Sequence, residues 1–335
     1  MRRKLLVLIP LILLVLAAAA VAGTWLWAAR ALEQSYTAWL EERRADGWTF
    51  DNAVAEVGGF PVQLTARLAE PRVVAPQGWA WQAPDVAARA SVLDPFTVRF
   101  TAPGRHEAIT PTGRELVADA AEAQGRVLFG RGGARSGQMT LSEVSLTGLP
   151  PGDASAEALF VALGPLRRPD GAPQELDFTL ETDGLELPPQ LKVPFGRRIA
   201  HLRARGTTVG ALPRRWTAGD LRAWRARGGE IALDHLELDW APVTLSGDGT
   251  LSLDRELRPQ GELAVQVTGL GAALDRLAES GRVEPRMVAY AKLAISALGS
   301  TDDSGRTRVQ LQIRFREGRL YLGPVPLLPL PSVLR

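Results

Sequence analysis

The stretch from Gly228 to Leu270 constrains this chain more than any other. Apolar and polar residues alternate through it, and each run ends in Gly, Pro or Asp. Successive side chains on a strand point to opposite faces, so the pattern predicts consecutive antiparallel strands, each with one face buried. Ile231 and Leu233 share one phase, whereas Leu236, Leu238 and Trp240 share the other. One extra residue in a strand swaps its faces, so the slip at Asp234-His235 predicts a bulge or tight bend. His235 is then expected as a strand-bend residue rather than a catalyst. Val243, Leu245, Leu251 and Leu253 point one way across Gly247-Asp248-Gly249. After the Pro259-Gln260-Gly261 turn, Leu263, Val265 and Val267 form the next strand.

The same alternation recurs elsewhere. Arg306–Arg316 alternates at Val309, Leu311, Ile313 and Phe315, then turns at Glu317-Gly318 into Leu320 and Leu322. Trp48–Val57, Val62–Leu68, Val86–Leu93, Phe96–Phe100, Arg126–Gly130, Gln138–Leu149, Ala156–Leu163 and Glu175–Glu181 are further strand candidates between Gly/Pro-rich turns. Helical spacing is confined to a few segments. Leu32, Tyr36, Trp39 and Leu40 predict a helix over Ala31–Arg44 that ends near Asp46-Gly47. Thr217 is the expected N-cap of a short helix over Ala218–Arg227, with Leu221 and Trp224 facing inward. Leu270, Leu274 and Leu277 mark another helix, closed at Gly281. A last one starts near Pro285 and reaches about Leu298, with Val288, Ala291 and Ile295 on one face. The four prolines between Pro324 and Pro331 forbid helix and inner strand, which leaves an extended apolar arm.

Met1-Arg2-Arg3-Lys4 is a cationic start, and Leu5–Ala29 is uncharged and apolar, about long enough to span a bilayer as a helix. Trp25 and Trp27 sit where an interfacial aromatic belt belongs. The positive start predicts a cytoplasmic N-terminus with the remainder translocated. A signal peptide with Ala20-Val21-Ala22 as its cleavage site is the rival expectation. An uncleaved anchor fits better, because the apolar run continues past that site into Trp-Leu-Trp. Either way the bulk of the chain is expected outside the cytoplasm. The localisation expected is the bacterial inner membrane, single-pass, with most of the chain periplasmic.

The fold class expected is mainly β with a few helices (α+β). It comprises an N-terminal transmembrane helix followed by large curved antiparallel sheets with short covering helices. The divisions expected are residues 1–30 as anchor or signal peptide, 31–187 as a first β-rich periplasmic half, and 188–335 as a second. That second half holds the short helices and the proline-rich arm, with Pro188–Pro194 as the linker.

Composition excludes several chemistries. The chain has no cysteine, so disulfides, thiolate catalysis and iron–sulfur ligation are ruled out. His106, His201 and His235 are far apart in sequence, without metal-ligand spacing. No phosphate-loop ending follows the Gly130–Gly137 run, and Thr301–Gly305 lacks calcium-loop spacing. Despite a pI of about 9.3, no Lys/Arg run with interleaved aromatics occurs, so no nucleic-acid partner is expected. No cofactor is expected either.

Several blocks, taken in order, resemble a bacterial family, domain of unknown function 2125. They are Gly58-Gly59-Phe60-Pro61-Val62 and Asp94-Pro95-Phe96, then Trp224 with Gly228-Gly229-Glu230-Ile231. Leu238–Pro242 with Gly247–Leu251 follows, and Gly318–Leu327 closes the series. More distantly, the layout resembles AsmA-like envelope proteins, which combine one N-terminal anchor with antiparallel sheets and are associated with lipid traffic or outer-membrane homeostasis. The first resemblance implies no activity and no catalytic residue.

Acid–base catalysis needs paired carboxylates or a histidine partner in a pocket. Alternation places Glu237 and Asp239 opposite Leu236, Leu238 and Trp240, on a solvated face. The expected function is therefore non-catalytic. A membrane-anchored envelope protein would bind or pass lipid or another apolar ligand along an antiparallel β groove. Its candidate lining is Ile231, Leu233, Leu236, Leu238, Trp240, Val265 and Val267. The plainer alternative is that these residues are ordinary core beneath the short helices. The chain would then be a scaffold or interaction module for an envelope protein partner. The inner membrane, reached through residues 5–29, is the other expected partner.

Overall fold

The computed structural model describes the chain except residues 1, 131–132, 168–174, 192, 194, 211–216, 280, 282–283, 302–306, 323–324 and 334–335. The side chains of residues 2–18, 166–167, 285, 294, 297–298, 301, 322 and 325–328 are also outside the description. The chain forms two compact units, Met1–Leu149 and Pro150–Arg335.

The first unit opens with helix α1 (Arg2–Ala45). Its end is local chemistry. Gly47 adopts φ of 87°, its N–H donates to the Arg44 carbonyl, and the Trp48 N–H donates to the Arg43 carbonyl. That pair of bonds satisfies the last carbonyls of the helix, and glycine enters the left-handed conformation without a Cβ clash. The helix therefore stops where the Asp46-Gly47 signal predicts. Among the described residues, no helix is long and apolar enough to cross a membrane. The span expected over residues 5–29 rests largely on residues 5–18, whose side chains lie outside the described set.

The strands of this unit are β1 (Thr49–Asp51), β2 (Glu56–Gly58), β3 (Gln63–Ala69), β4 (Arg72–Val74), β5 (Ala80–Gln82), β6 (Asp85–Ser91), β7 (Asp94–Thr101), β8 (Gly104–Ile109), β9 (Glu115–Ala120), β10 (Glu122–Gly130) and β11 (Gly133–Thr147). They pair antiparallel in the order β2-β3-β6-β7-β10-β11-β9-β8-β5-β4-β1. Most of the buried residues between them are alanines, including Ala53, Ala75, Ala83, Ala120 and Ala123. Leu40 of α1 and Val144 of β11 are the larger buried apolar side chains here.

The second unit contains β12 (Ala154–Arg167), β13 (Glu175–Glu186), β14 (Arg198–Val209), helix α2 (Ala218–Ala226), β15 (Glu230–Trp240), β16 (Val243–Leu253), β17 (Pro259–Thr268), helices α3 (Leu270–Glu279) and α4 (Pro285–Leu298), β18 (Ser300–Thr301), β19 (Thr307–Arg316), β20 (Arg319–Leu322) and β21 (Val325–Pro329). The antiparallel order is β12-β13-β14-β15-β16-β17-β19-β20-β21, with β18 paired to the start of β19. The architecture is thus mainly antiparallel sheet with a few helices. The Pro188–Pro194 stretch connects β13 to β14, which pair along their length, and the boundary between units falls at Leu149/Pro150 instead.

Each helix of this unit lies where its apolar spacing predicts. Thr217 caps α2 by accepting from the Asp220 N–H at 3.2 Å, and Leu221 and Trp224 are buried. Ala273 of α3 and Val288 of α4 are buried, and Lys292 of α4 reaches Asp275 of α3 at 2.7 Å. The C-terminal arm folds back onto its own unit. β21 is the terminal strand of the order, Leu330 N–H donates to Gly318 O at 2.7 Å, and Val333 N–H donates to Leu257 O at 3.0 Å.

Candidate functional site

The predicted bulge is present, and it builds the apolar face. Leu233 stands opposite Gly206 on β14 and Gly249 on β16, and Leu236 stands opposite Ala204 and Gly247. Two residues, Asp234 and His235, therefore oppose the single Asp248 of β16. Residues directly opposite on an antiparallel pair share a face. Ile231, Leu233, Leu236, Leu238 and Trp240 consequently line up with Val243, Leu245, Leu251 and the two glycines. The next strands continue the face with Leu263, Val265 and Val267, then Val309, Leu311 and Ile313.

The seven sequence-predicted residues fall into two groups on this face. Leu233, Val265 and Val267 are buried and form the core cluster with Leu263. Ile231 and Leu236 are half-buried and pack against the cluster, as do Leu311, Ile313 and Phe315 of β19 and Phe178 of β13. Leu238 is half-buried outside that cluster. Trp240 is committed elsewhere: its indole N–H donates to Gly196 O at 2.9 Å, and its ring meets Phe195 edge-on at 5.4 Å. α3 packs against β16, with Leu270 touching the cluster, and α4 packs against β19. The face is thus core at its centre and half-open toward its margins.

The opposite face is a ladder of charge across β13, β14 and β15. Glu181, Arg203 and Glu237 stand in register, with Arg203 Nε donating to Glu181 Oε1 at 2.9 Å and Nη1 lying 3.9 Å from Glu237. His201 bonds Asp183 at 2.6 Å, and His235 lies 3.5 Å from Glu237. In the first unit His106 bonds Ala102 O at 2.8 Å and stacks on Trp81. Each histidine is held by its own local partner. Glu237 and Asp239 lie on the polar face, as the alternation predicts.

With both faces described, the family follows. Residues 25–331 match the family described as "Uncharacterized protein conserved in bacteria (DUF2125)". The chain belongs to this family. No curated protein and no solved structure matches it. The DUF2125 match runs through both units and takes in every block on which the resemblance rests, from Gly58 to Leu327.

This DUF2125 chain has a depression on its polar face that alternation alone does not reveal. An open depression of about 780 Å³ lies over the bulge, lined by Asp234, His235, Ser246, Asp248, Gln266 and Gln310 among others. Ala264 stands between Asp248 and Gln312 in the register, and its short side chain leaves the gap. The sequence signal is weak: uncharged glutamines at same-face positions on β17 and β19, where charged residues prevail elsewhere. Among the described residues, no group of three or more His, Cys, Asp or Glu is placed to hold a metal ion.

Proposed function

We propose that the protein is a non-catalytic, membrane-anchored component of the bacterial cell envelope that binds or passes lipid or another apolar ligand along the apolar face of β15, β16, β17 and β19. One observation carries this: the Asp234-His235 bulge keeps the apolar side chains of β15 in one stripe that continues across three further strands. Half-buried Ile231, Leu236 and Leu311 at its margins would give an acyl chain apolar contacts, worth about 25 cal/mol per Å² removed from water. The uncharged run Leu5–Ala29 supports an inner-membrane anchor, with the bulk of the chain in the periplasm. The layout of one anchor followed by antiparallel sheet also supports likeness to AsmA-like envelope proteins, as analogy of architecture.

A scaffold or interaction module with a closed core is the second reading. Burial of Leu233, Val265 and Val267 and the fold-back of the C-terminal arm favour it.

Photolabelling separates the two. The full chain in liposomes is irradiated with a phospholipid carrying a diazirine in its acyl chain, and adducts are mapped by mass spectrometry. Adducts at Ile231, Leu236 and Leu311, and none at Gln266, Gln310 or Gln312, are expected. Absence of adducts on the apolar face refutes lipid handling and leaves the scaffold.

A further inference from the structure

Three hairpin tips of the first unit lie at one end of their strands. β3 and β6 pair with Gln63 opposite Ser91, and the Val92 N–H donates to Val62 O at 3.0 Å. The tip of the β2–β3 hairpin therefore lies beside the tip of the β6–β7 hairpin. β7 pairs in turn with β10, Thr97 opposite Leu128, which brings the β10–β11 tip to the same end. Each tip exposes large apolar side chains: Phe60 and Val62 on the first, Leu93 and Phe96 on the second, Leu128 and Phe129 on the third. Leu93 is 87% exposed, at the extreme of its hairpin.

The strands do not end at Glu70-Pro71 and Ala83-Pro84: Glu70 N–H donates to Pro84 O and Ala83 N–H to Pro71 O, so the ladder runs on through this break. Other exposed apolar side chains of the unit, Val54, Trp79 and Ile109 among them, lie away from the three tips. Scattered surface hydrophobics are ordinary, but a contiguous patch formed by three hairpins at one end marks an interaction surface.

Helix α1 says what the surface faces. Trp25 donates its indole N–H to Gln63 O at 2.5 Å and meets the Phe60 ring edge-on at 5.4 Å. Leu26 and Trp27 beside it are exposed, Trp27 by 72%. The patch is thus pinned to α1 at Trp25, inside the last part of the uncharged run Leu5–Ala29 and little more than one helical turn before the first charge, Arg30. Aromatic side chains collect at that level in membrane proteins, because the headgroup region accepts a ring and its polar edge together. Arg135, exposed across Gly130 at the third tip, adds a cation suited to anionic headgroups, and the second tip carries an acid, Asp94.

We propose that these three hairpin tips insert into the interfacial layer of the bilayer around α1, so that the first unit rests on the membrane at a fixed orientation rather than swinging on its anchor. This rests on the membrane-anchored reading above.

The absence of cysteine makes the test clean, because a single introduced cysteine needs no background removed. Full-length chains carrying Leu93→Cys, Phe129→Cys, Ala20→Cys or Arg72→Cys are labelled with the environment-sensitive NBD fluorophore. They are reconstituted in phosphatidylethanolamine–phosphatidylglycerol liposomes containing nitroxide-labelled lipid. Labels at 93 and 129 are expected to shift to the blue and lose emission to the nitroxide, as at 20, while the label at 72 keeps its emission. Loss at 20 without loss at 93 and 129 overturns the docking and leaves the anchor standing. Retained emission at 20, 93 and 129 overturns both. Loss at 93 and 129 with none at 20 upholds the docking and removes the anchor.

Discussion

Phe100 on β7 lies across Gly125, its register partner on β10, so closely that a Cβ at position 125 would stand 1.9 Å from Cζ of the ring. A glycine within a strand loses side-chain packing, and an aromatic neighbour laid over it restores part of that contact. The half-buried ring thus fills space that an alanine would claim.

Gly125→Val is therefore expected to destabilise the first unit by about 1–3 kcal/mol, the usual cost of overpacking. Phe100→Leu in the Gly125→Val background should recover part of that loss, because residues in contact are not additive. Urea unfolding of the two single variants and the double variant measures the coupling. Strict additivity would show that the ring has room to move aside.

The bulge of β15 supports a sharper contrast. Removing Asp234 takes out the extra residue, leaves His235 alone opposite Asp248 and keeps Leu236, Leu238 and Trp240 on the apolar face, so unfolding of the second unit is expected to stay cooperative. Inserting one residue between Leu236 and Glu237 instead turns Leu238 and Trp240 toward the charged face and is expected to abolish it. His235→Gln keeps the residue count and should change stability by less than about 0.5 kcal/mol, as befits a half-exposed side chain. Circular dichroism melts of the three variants check this, and a cooperative melt of the insertion together with loss of cooperativity in the deletion would contradict the assigned register.

Core and margin of the apolar face are separable by mutation. Leu233→Ala empties space in the buried cluster and is expected to cost about 2–5 kcal/mol. Leu236→Ser, at the half-buried margin, is expected to cost less and to reduce labelling by the diazirine phospholipid. Equal labelling of Leu236→Ser and the wild type would show that the margin does not receive an acyl chain.

Stability should also depend on acid through one turn. Asp254 follows β16, and burial pushes its carboxyl pKa up. Hydrogen bonds from the Arg258 N–H at 2.9 Å, the Arg258 guanidinium at 2.7 Å and the Glu256 N–H at 2.9 Å more than reverse this and hold it below its ordinary value. A carboxylate with a lowered folded pKa contributes stability above its unfolded value, about 3.9, and loses it as pH falls through the folded value. Wild type is expected to exceed Asp254→Asn at neutral pH, and the gap should close on acidification. Chemical unfolding of both proteins across that range tests the sign; a gap independent of pH would exclude the ionised turn. Val333 is tied to Leu257 in this same turn, so loosening of the C-terminal arm should accompany the loss.

Much of the fold was legible in the residues because its causes are local. Period-two alternation placed β15, β16, β17 and β19, and the change of phase at Asp234-His235 placed the bulge one residue wide. Thr217, Gly228 and the Asp46-Gly47 pair marked helix ends, since a cap needs only the turn beside it. The membership of Ile231, Leu233 and Leu236 on one face followed from the same arithmetic.

Sequence by itself therefore determined the helices, the faces of β15, β16, β17 and β19, and the family, but not β8, β9 or β14, nor the break of Trp48–Val57 into β1 and β2. Tertiary structure alone decided which of the seven apolar residues are core. Burial of Val265 depends on strands β16 and β19 on either side, whereas Trp240 is drawn to Gly196, far away along the chain. It also decided that Pro188–Pro194 joins two paired strands rather than two halves. Most of all, it brought Phe60, Leu93 and Phe129 to one end of the first unit. Each is an unremarkable apolar residue at a turn, and only antiparallel pairing between β3, β6, β7 and β10 places the three turns side by side.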